Sequence, residues 1–185
     1  MLYPVSLDLD GRPVVVIGGG QVALGKVRGL LACGARVTVV APQVCPELAE
    51  LDVSVVQRAY RTGDLAGFSL VFTATDDPAV NGNVSADAQA AGTWVNSADD
   101  PARCTFQLPA VVRRGPMTVA VSSSGRSPAL ARWLRDRVAE SLDPDLEWLA
   151  QQLSARRDEL HDQGRTTEGL DWVTEIARLR AERAR

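Results

Sequence analysis

The chain has 185 residues, 45% of them apolar, and a formal net charge of −3. This is enough chain for one full domain with an extension, and the slightly acidic balance excludes the basic footprint of a nucleic-acid binder. No apolar stretch is long enough to span a bilayer and no signal-peptide pattern opens the chain, so no membrane partner and a cytoplasmic location are expected.

Residues 14–17 read as a buried strand that runs into Gly18-Gly19-Gly20-Gln21-Val22-Ala23. Residues 22–32 then read as a helix closed near Gly34. A strand, a Gly-x-Gly-x-x-Ala turn and a helix in that order are the dinucleotide fingerprint in its required context. Gly18 permits the tight turn, Gly20 lets the backbone approach a pyrophosphate, and Ala23 keeps the helix close to the strand. The helix N-terminus offers N–H groups to the phosphates. Residues 36–40 form a second strand ending at Ala41-Pro42, residues 53–57 a third and residues 70–74 a fourth. Residues 78–91 form a helix stopped by Gly92, and residues 93–96 a fifth strand. This alternation implies a parallel sheet with helices on both faces. The ligand crevice then lies beyond the carboxyl ends of the strands, among residues 18–22, 41–43, 75–78 and 96–100.

Beyond Phe106 the rhythm changes. Leu108-Pro109 and Arg113-Arg114-Gly115-Pro116 punctuate the chain, and residues 117–122 read as a single strand. Residues 122–128 form a loop whose Ser127-Pro128 starts a helix, Ser as N-cap and Pro at the first helical position. That helix runs to about Ser141. Two more follow, from about Asp145 to Leu160 and from about Thr167 to Arg183. A lone strand with helices cannot bury itself, so this part is expected to pack against a second copy. The fold class expected is α/β: a Rossmann-type doubly wound parallel sheet (1–110), a small α+β dimerisation and substrate segment (111–142), and a helical C-terminal region (143–185).

The residues that could carry chemistry cluster at the predicted crevice. Asp99 or Asp100, after the fifth strand, could act as a general base, although either also suits a turn or cap. Asp77 before Pro78 reads first as a helix cap. The loop at 122–128, bordered by Arg113, Arg114, Arg126 and Arg132, could hold an anion. The basic residues are nineteen arginines and one lysine, Lys26, which excludes a Tyr-x-x-x-Lys pair and a Walker A lysine. Arginine forks suit carboxylates. The second strand ends without Asp or Glu, so the fingerprint itself does not choose NAD over NADP. The three cysteines, Cys33, Cys45 and Cys104, lack CxxC spacing, and His161 is the only histidine. No resident metal site or disulfide framework is expected.

In combination these segments resemble the precorrin-2 dehydrogenase/sirohydrochlorin ferrochelatase family, which also forms the N-terminal half of siroheme synthases. The matching pieces are Tyr3-Pro4 with Leu9-x-Gly11-Arg12, Val16-Ile17-Gly18-Gly19-Gly20-x-Val22-Ala23-x-x-Lys26, and Gly34-Ala35-x-Val37 through Ala41-Pro42. Ala74-Thr75-Asp76-Asp77 with Asn81 follows, then Asn96-x-x-Asp99 with Cys104-x-Phe106, and Ser122-Ser123-Ser124-Gly125-x-Ser127-Pro128. They cover about residues 3–140, and the chain looks like a free-standing form without a methyltransferase domain.

The resemblance implies oxidation of precorrin-2 to sirohydrochlorin with NAD as cofactor, and Fe²⁺ insertion in some members; a homodimer is expected from the unburied surface of the tail. The resemblance implies Asp99 as the catalytic residue. It also implies cofactor contacts at Gln21, Val22, Pro42 and Gln43; the fingerprint itself adds Gly18 and Gly20, and the place of the loop after the fourth strand adds Thr75 and Asp76. Substrate contacts are expected at Asn96, Arg113, Ser123, Ser124, Gly125 and Arg126: Ser123 matches a serine of the family's active-site region, Asn96 belongs to the segment after the fifth strand, and the others lie in or border the 122–128 loop. At Ser124 and Arg126 the family more often carries Gly and a small or apolar residue. The alternatives are a non-catalytic dinucleotide-sensing regulator and a dehydrogenase of another small acid. The first would need an output domain that the mixed-charge tail does not supply. The second is disfavoured by Asn96-x-x-Asp99 and by residues 122–131.

Overall fold

The computed structural model describes residues 2–98 and 100–183. Contacts divide the chain at Leu108–Pro109 into two compact units.

The first unit is built on β1 (Pro13–Ile17), α1 (Gln21–Leu31), β2 (Arg36–Val40), α2 (Pro46–Ala49), β3 (Ser54–Val56), β4 (Leu70–Thr73), α3 (Pro78–Ala90) and β5 (Trp94–Ser97). The five strands are all parallel, in the order β3-β2-β1-β4-β5. Strand order therefore reverses between β1 and β4, which opens a crevice at their carboxyl ends.

The apolar run of β1 explains its central place. Val14 and Val16 pack on one face of the sheet with Ala23, Leu24, Val27 and Leu30 of α1. Val15 and Ile17 pack on the other with Val71, Val95, Val84 and Ala88. A strand covered on both faces has no polar alternate position, which is why it reads as a continuous run rather than an alternation. Each of these fully buried valines contributes roughly 1.5–3 kcal/mol of transfer free energy.

The long connection between β3 and β4 is held by local polar ties. Arg58 forks onto both oxygens of Asp64 at 2.7 Å. This hydrogen-bonded ion pair holds the Asp64 carboxyl below its ordinary range. Tyr60 donates to Asp87 of α3 at 2.6 Å. Burial first, and then the Asp87 carboxylate, push the Tyr60 phenol up.

The second unit begins with β6 (Ala110–Arg114) and β7 (Met117–Val121), paired antiparallel with Arg114 opposite Met117. The expectation of one lone strand is thus corrected. Gly115-Pro116 is a two-residue hairpin loop, not mere punctuation. Gly115 takes φ +53°, and Pro116 cannot take a positive φ, which is the sign pattern of a type II′ turn. Three helices follow, α4 (Pro128–Ser141), α5 (Leu146–Asp162) and α6 (Trp172–Arg183). Arg135 of α4 reaches the Val111 carbonyl of β6 at 3.4 Å. The end of α6 is tied to the start of α5 by Arg180–Asp143 at 2.8 Å and Arg183–Asp145 at 2.9 Å, with Arg183 over the Trp148 ring. No described helix is long and apolar enough to cross a membrane.

The sequence reading also missed α2, a single turn begun by Pro46, and the short 3₁₀ turn Pro101–Arg103. The third helix of the tail starts at Trp172, later than expected.

Candidate active site

The fingerprint glycines are demanded by different neighbours. Gly18 has φ +122°, and a Cβ there would stand 2.2 Å from the Ala74 carbonyl oxygen at the end of β4. A Cβ on Gly19 would stand 2.1 Å from the Gln43 carbonyl oxygen, and the Gly19 carbonyl accepts from the Cys45 N–H at 2.8 Å. These two glycines let the turn wedge between the loops that follow β4 and β2. Gly20 is different. Its φ of −86° suits any residue, and a Cβ there would meet nothing within 4 Å.

Gly20 is also the N-cap of α1 and supplies no side-chain cap. The first-turn N–H groups have no partner within a helix of this kind. Space beside Gly20, an uncapped helix start and a partial positive charge together fit a dinucleotide pyrophosphate. Gln21 and Val22 stand in that first turn. Val22 is 54% exposed, although apolar. Pro42 and Gln43 are exposed in the loop after β2, which the Gly19 contacts bring against the fingerprint.

On the other side of the switch point, Asn81 of α3 organises the loop after β4. Its Nδ2 donates to the Thr75 carbonyl at 2.9 Å, and its Oδ1 accepts from the Thr75 hydroxyl at 2.8 Å and from the Thr73 hydroxyl. Asp77 caps α3, accepting from the N–H groups of Ala79 at 2.8 Å and Val80 at 3.3 Å. Thr75 is half-buried and Asp76 exposed in that loop.

At the end of β5, Asn96 is buried and its amide is fully engaged. Its Oδ1 accepts from Lys26 Nζ at 2.9 Å, and its Nδ2 donates to the Phe106 carbonyl at 3.1 Å and lies 3.7 Å from Cys104 Sγ. The Lys26 ammonium also stands 5.4 Å from the centre of the Phe72 ring. Cys104 Sγ accepts from the Ser97 N–H at 3.2 Å and lies 3.3 Å and 3.4 Å from the carbonyl oxygens of Ser97 and Asp100. The two ends of the segment 97–104 are thereby stapled together. Asp100 is committed to that segment's fold, accepting from the Ala102 N–H at 3.2 Å and pairing with Arg103 at 2.9 Å. Asp99, the expected catalytic residue, lies outside the described residues.

The remaining candidates lie in the second unit. Arg113 is exposed on β6. The Ser123 hydroxyl accepts from the Ser127 N–H at 3.0 Å, and Ser127 caps α4 through the Leu130 N–H at 3.2 Å. Ser124 takes φ +53°, and Gly125 φ +78°. A serine in the left-handed region stores strain of roughly 1 kcal/mol or more, a cost glycine would avoid. Arg126 is exposed beside it.

Gly19, Asn81, Lys26 and Cys104 were given no positioning role by sequence reasoning. Their signals exist in the chain, but their partners lie on other elements. Among the described residues, no group of three or more His, Cys, Asp or Glu is placed to hold a metal ion.

Residues 5–110 match the family model described as "Putative NAD(P)-binding", and residues 114–141 match "Sirohaem biosynthesis protein central". The chain is 50% identical over 137 residues to a siroheme synthase of Ectopseudomonas mendocina, covering 73% of this chain and 30% of that protein. It is 47% identical over 144 residues to siroheme synthase 2 of Aeromonas salmonicida, again covering 30% of that protein. The chain therefore spans about 30% of the length of these curated relatives. The solved structure of SirC, a precorrin-2 dehydrogenase, superposes with a TM-score of 0.74 at 30% identity, over 98% of this chain and 88% of that one. A parallel Rossmann sheet with its fingerprint intact, continued by the siroheme central segment, places the chain in the NAD(P)-binding family of siroheme biosynthesis that includes SirC and the corresponding part of siroheme synthases.

Proposed function

We propose that this chain oxidises precorrin-2 to sirohydrochlorin, with NAD⁺ as hydride acceptor. The observation that supports this most is the likeness to SirC across nearly the whole of both chains. The substrate loses a hydride and a proton, and NADH and H⁺ are the other products. When bound, the dinucleotide supplies the hydride acceptor. This chain's own residues would do the rest. The first turn of α1 and Gly20 would seat the pyrophosphate, flanked by Gln21 and Val22. Pro42 and Gln43 would border the adenosine half, and Thr75 and Asp76 the nicotinamide half. Asp99 would take the proton, since Asp100 is already spent on its cap and on Arg103. Arg113, Ser123, Ser124, Gly125 and Arg126 would hold carboxylates of the tetrapyrrole, and Asn96 would set the segment carrying the base.

The same reading carries a second reaction, insertion of Fe²⁺ as a substrate into sirohydrochlorin. Two pyrrole protons leave as the metal enters, and Asp99 would receive them. The free cysteines, Cys33, Cys45 and Cys104, suit a reducing cytoplasm.

The active molecule would be a homodimer. Leu130, Trp133 and Leu134 share one side of α4 and are 56%, 60% and 42% exposed. A two-stranded hairpin with such an open helix is not a self-sufficient core. Light scattering should therefore return about twice the 19.8 kDa chain mass at micromolar concentration. A monomer would overturn the dimer.

The decisive assay supplies precorrin-2 with NAD⁺ or NADP⁺ and follows NADH absorbance and the sirohydrochlorin spectrum. Turnover with NAD⁺ is expected. Dinucleotide binding without turnover would favour the sensor reading instead. Iron insertion is followed in the same cuvette by the siroheme spectrum after adding Fe²⁺ to sirohydrochlorin.

A further inference from the structure

The end of β2 lacks the acid that usually meets the adenosine ribose of a bound dinucleotide. In Rossmann domains an acid at the end of the second strand accepts from the ribose 2′-hydroxyl and repels a 2′-phosphate. Here β2 ends in Val40 and continues as Ala41-Pro42-Gln43, with no acid. The chain nevertheless returns one carboxylate to this corner. The Cys45 N–H donates to the Gly19 carbonyl at 2.8 Å, and this bond pins the start of α2 to the phosphate turn. Glu47, in the first turn of α2, then stands with Oε2 3.5 Å from Nε2 of Gln21, in the first turn of α1. Both side chains are exposed on the β2 side of the fingerprint.

At the neighbouring end of β3, whose Val56 carbonyl accepts from the Ala41 N–H at 3.2 Å, the cation Arg58 is already forked onto both oxygens of Asp64. Residues 18–25 and 41–49 contain no arginine or lysine, and Glu47 is their only charged residue. Nothing in these segments can pair with a 2′-phosphate, whereas an anion stands ready to oppose one. Gln21 can hold the Glu47 carboxylate in place without neutralising it.

The geometry points to Glu47 as the residue that makes this site prefer NAD to NADP. It supplies from α2 the carboxylate that the end of β2 lacks. It would accept a hydrogen bond from the adenosine ribose and exclude the phosphate ester by like-charge repulsion. This inference rests on the dinucleotide reading of the crevice.

The test measures binding rather than turnover. The full chain is titrated with NAD⁺ and with NADP⁺ by isothermal calorimetry, as wild type, Glu47→Gln, Glu47→Arg and Glu50→Gln. Wild type should prefer NAD⁺. Glu47→Gln should shrink the ratio of the two Kd values by about tenfold, the scale of one charge-assisted contact. Glu47→Arg should invert it. Glu50→Gln, an equal change of net charge on an exposed neighbour, should leave the ratio unchanged. Because Glu47 is exposed, the wild-type ratio should also narrow in 1 M salt, where the screening length falls to about 3 Å. An unchanged ratio in both Glu47 variants, or an equal effect of Glu50→Gln, overturns the assignment. Binding of neither dinucleotide by wild type would defeat the crevice reading itself, and the assignment with it.

Discussion

Gly20→Asp is expected to leave the chain folded and to abolish dinucleotide binding. The backbone at Gly20 is extended, with φ −86° and ψ −170°, and a Cβ there meets nothing within 4 Å. No native contact is lost. Aspartate is also a better N-cap than glycine by a few tenths of a kcal/mol, because its carboxylate accepts from the N–H groups of the first turn. Those are the groups a pyrophosphate would use. The substitution therefore satisfies α1 internally and sets a negative charge where phosphate must sit. At a separation of about 4 Å, like charges near a protein surface repel by about 4 kcal/mol. NAD⁺ affinity should fall by at least about 10²-fold, while the melting temperature stays level or rises slightly. Calorimetric titration and a thermal melt of the same sample check both halves. Retained affinity would mean that the glycine turn serves packing alone. Gly18→Ala and Gly19→Ala make the contrast. Their Cβ atoms would collide with the carbonyl oxygens of Ala74 and Gln43, so these variants should lose stability before they lose ligand.

Asp99→Asn should lower turnover of precorrin-2 by roughly 10²–10⁴-fold, the range for loss of a positioned acid–base group. The amide keeps the size and much of the hydrogen bonding but cannot take the proton. NAD⁺ affinity should be unchanged, because Gly18 through Val22 are untouched. The same segment's other acid is a poor substitute, being bound to the Ala102 N–H and to Arg103. Asp100→Asn should therefore cost stability more than rate. Single-turnover kinetics of both variants, read beside their melting curves, separate the two roles. Near-normal dehydrogenation by Asp99→Asn would place the base elsewhere. Loss of iron insertion in the same variant would put both reactions in one cavity.

The sequence by itself determined whatever is written in neighbouring residues. The all-apolar run of β1, the Gly18–Ala23 turn, and the proline-led helix starts at Asp77-Pro78 and Ser127-Pro128 are local patterns. Their physics is that of backbone freedom, capping and periodicity, and each caps or packs where its own segment predicts. The alternation of strands and helices was likewise enough to give the parallel sheet and the carboxyl ends of its strands. Tertiary structure decided what depends on partners far along the chain. Gly19 is required by Gln43, Asn96 is oriented by Lys26 from α1, and Glu47 reaches Gln21 across 26 positions. The hairpin of β6 and β7 was hidden for a related reason. Ala110–Arg114 shows no clean alternation, and only its pairing with Met117–Val121 makes it a strand. A short segment's own propensity is worth a fraction of a kcal/mol, whereas a partner that satisfies its backbone groups and shields its side chains contributes more. The sheet and its turns are therefore written along the chain, while the contacts of Gly19, Asn96 and Glu47 follow from the spatial order of the strands, which brings distant segments together.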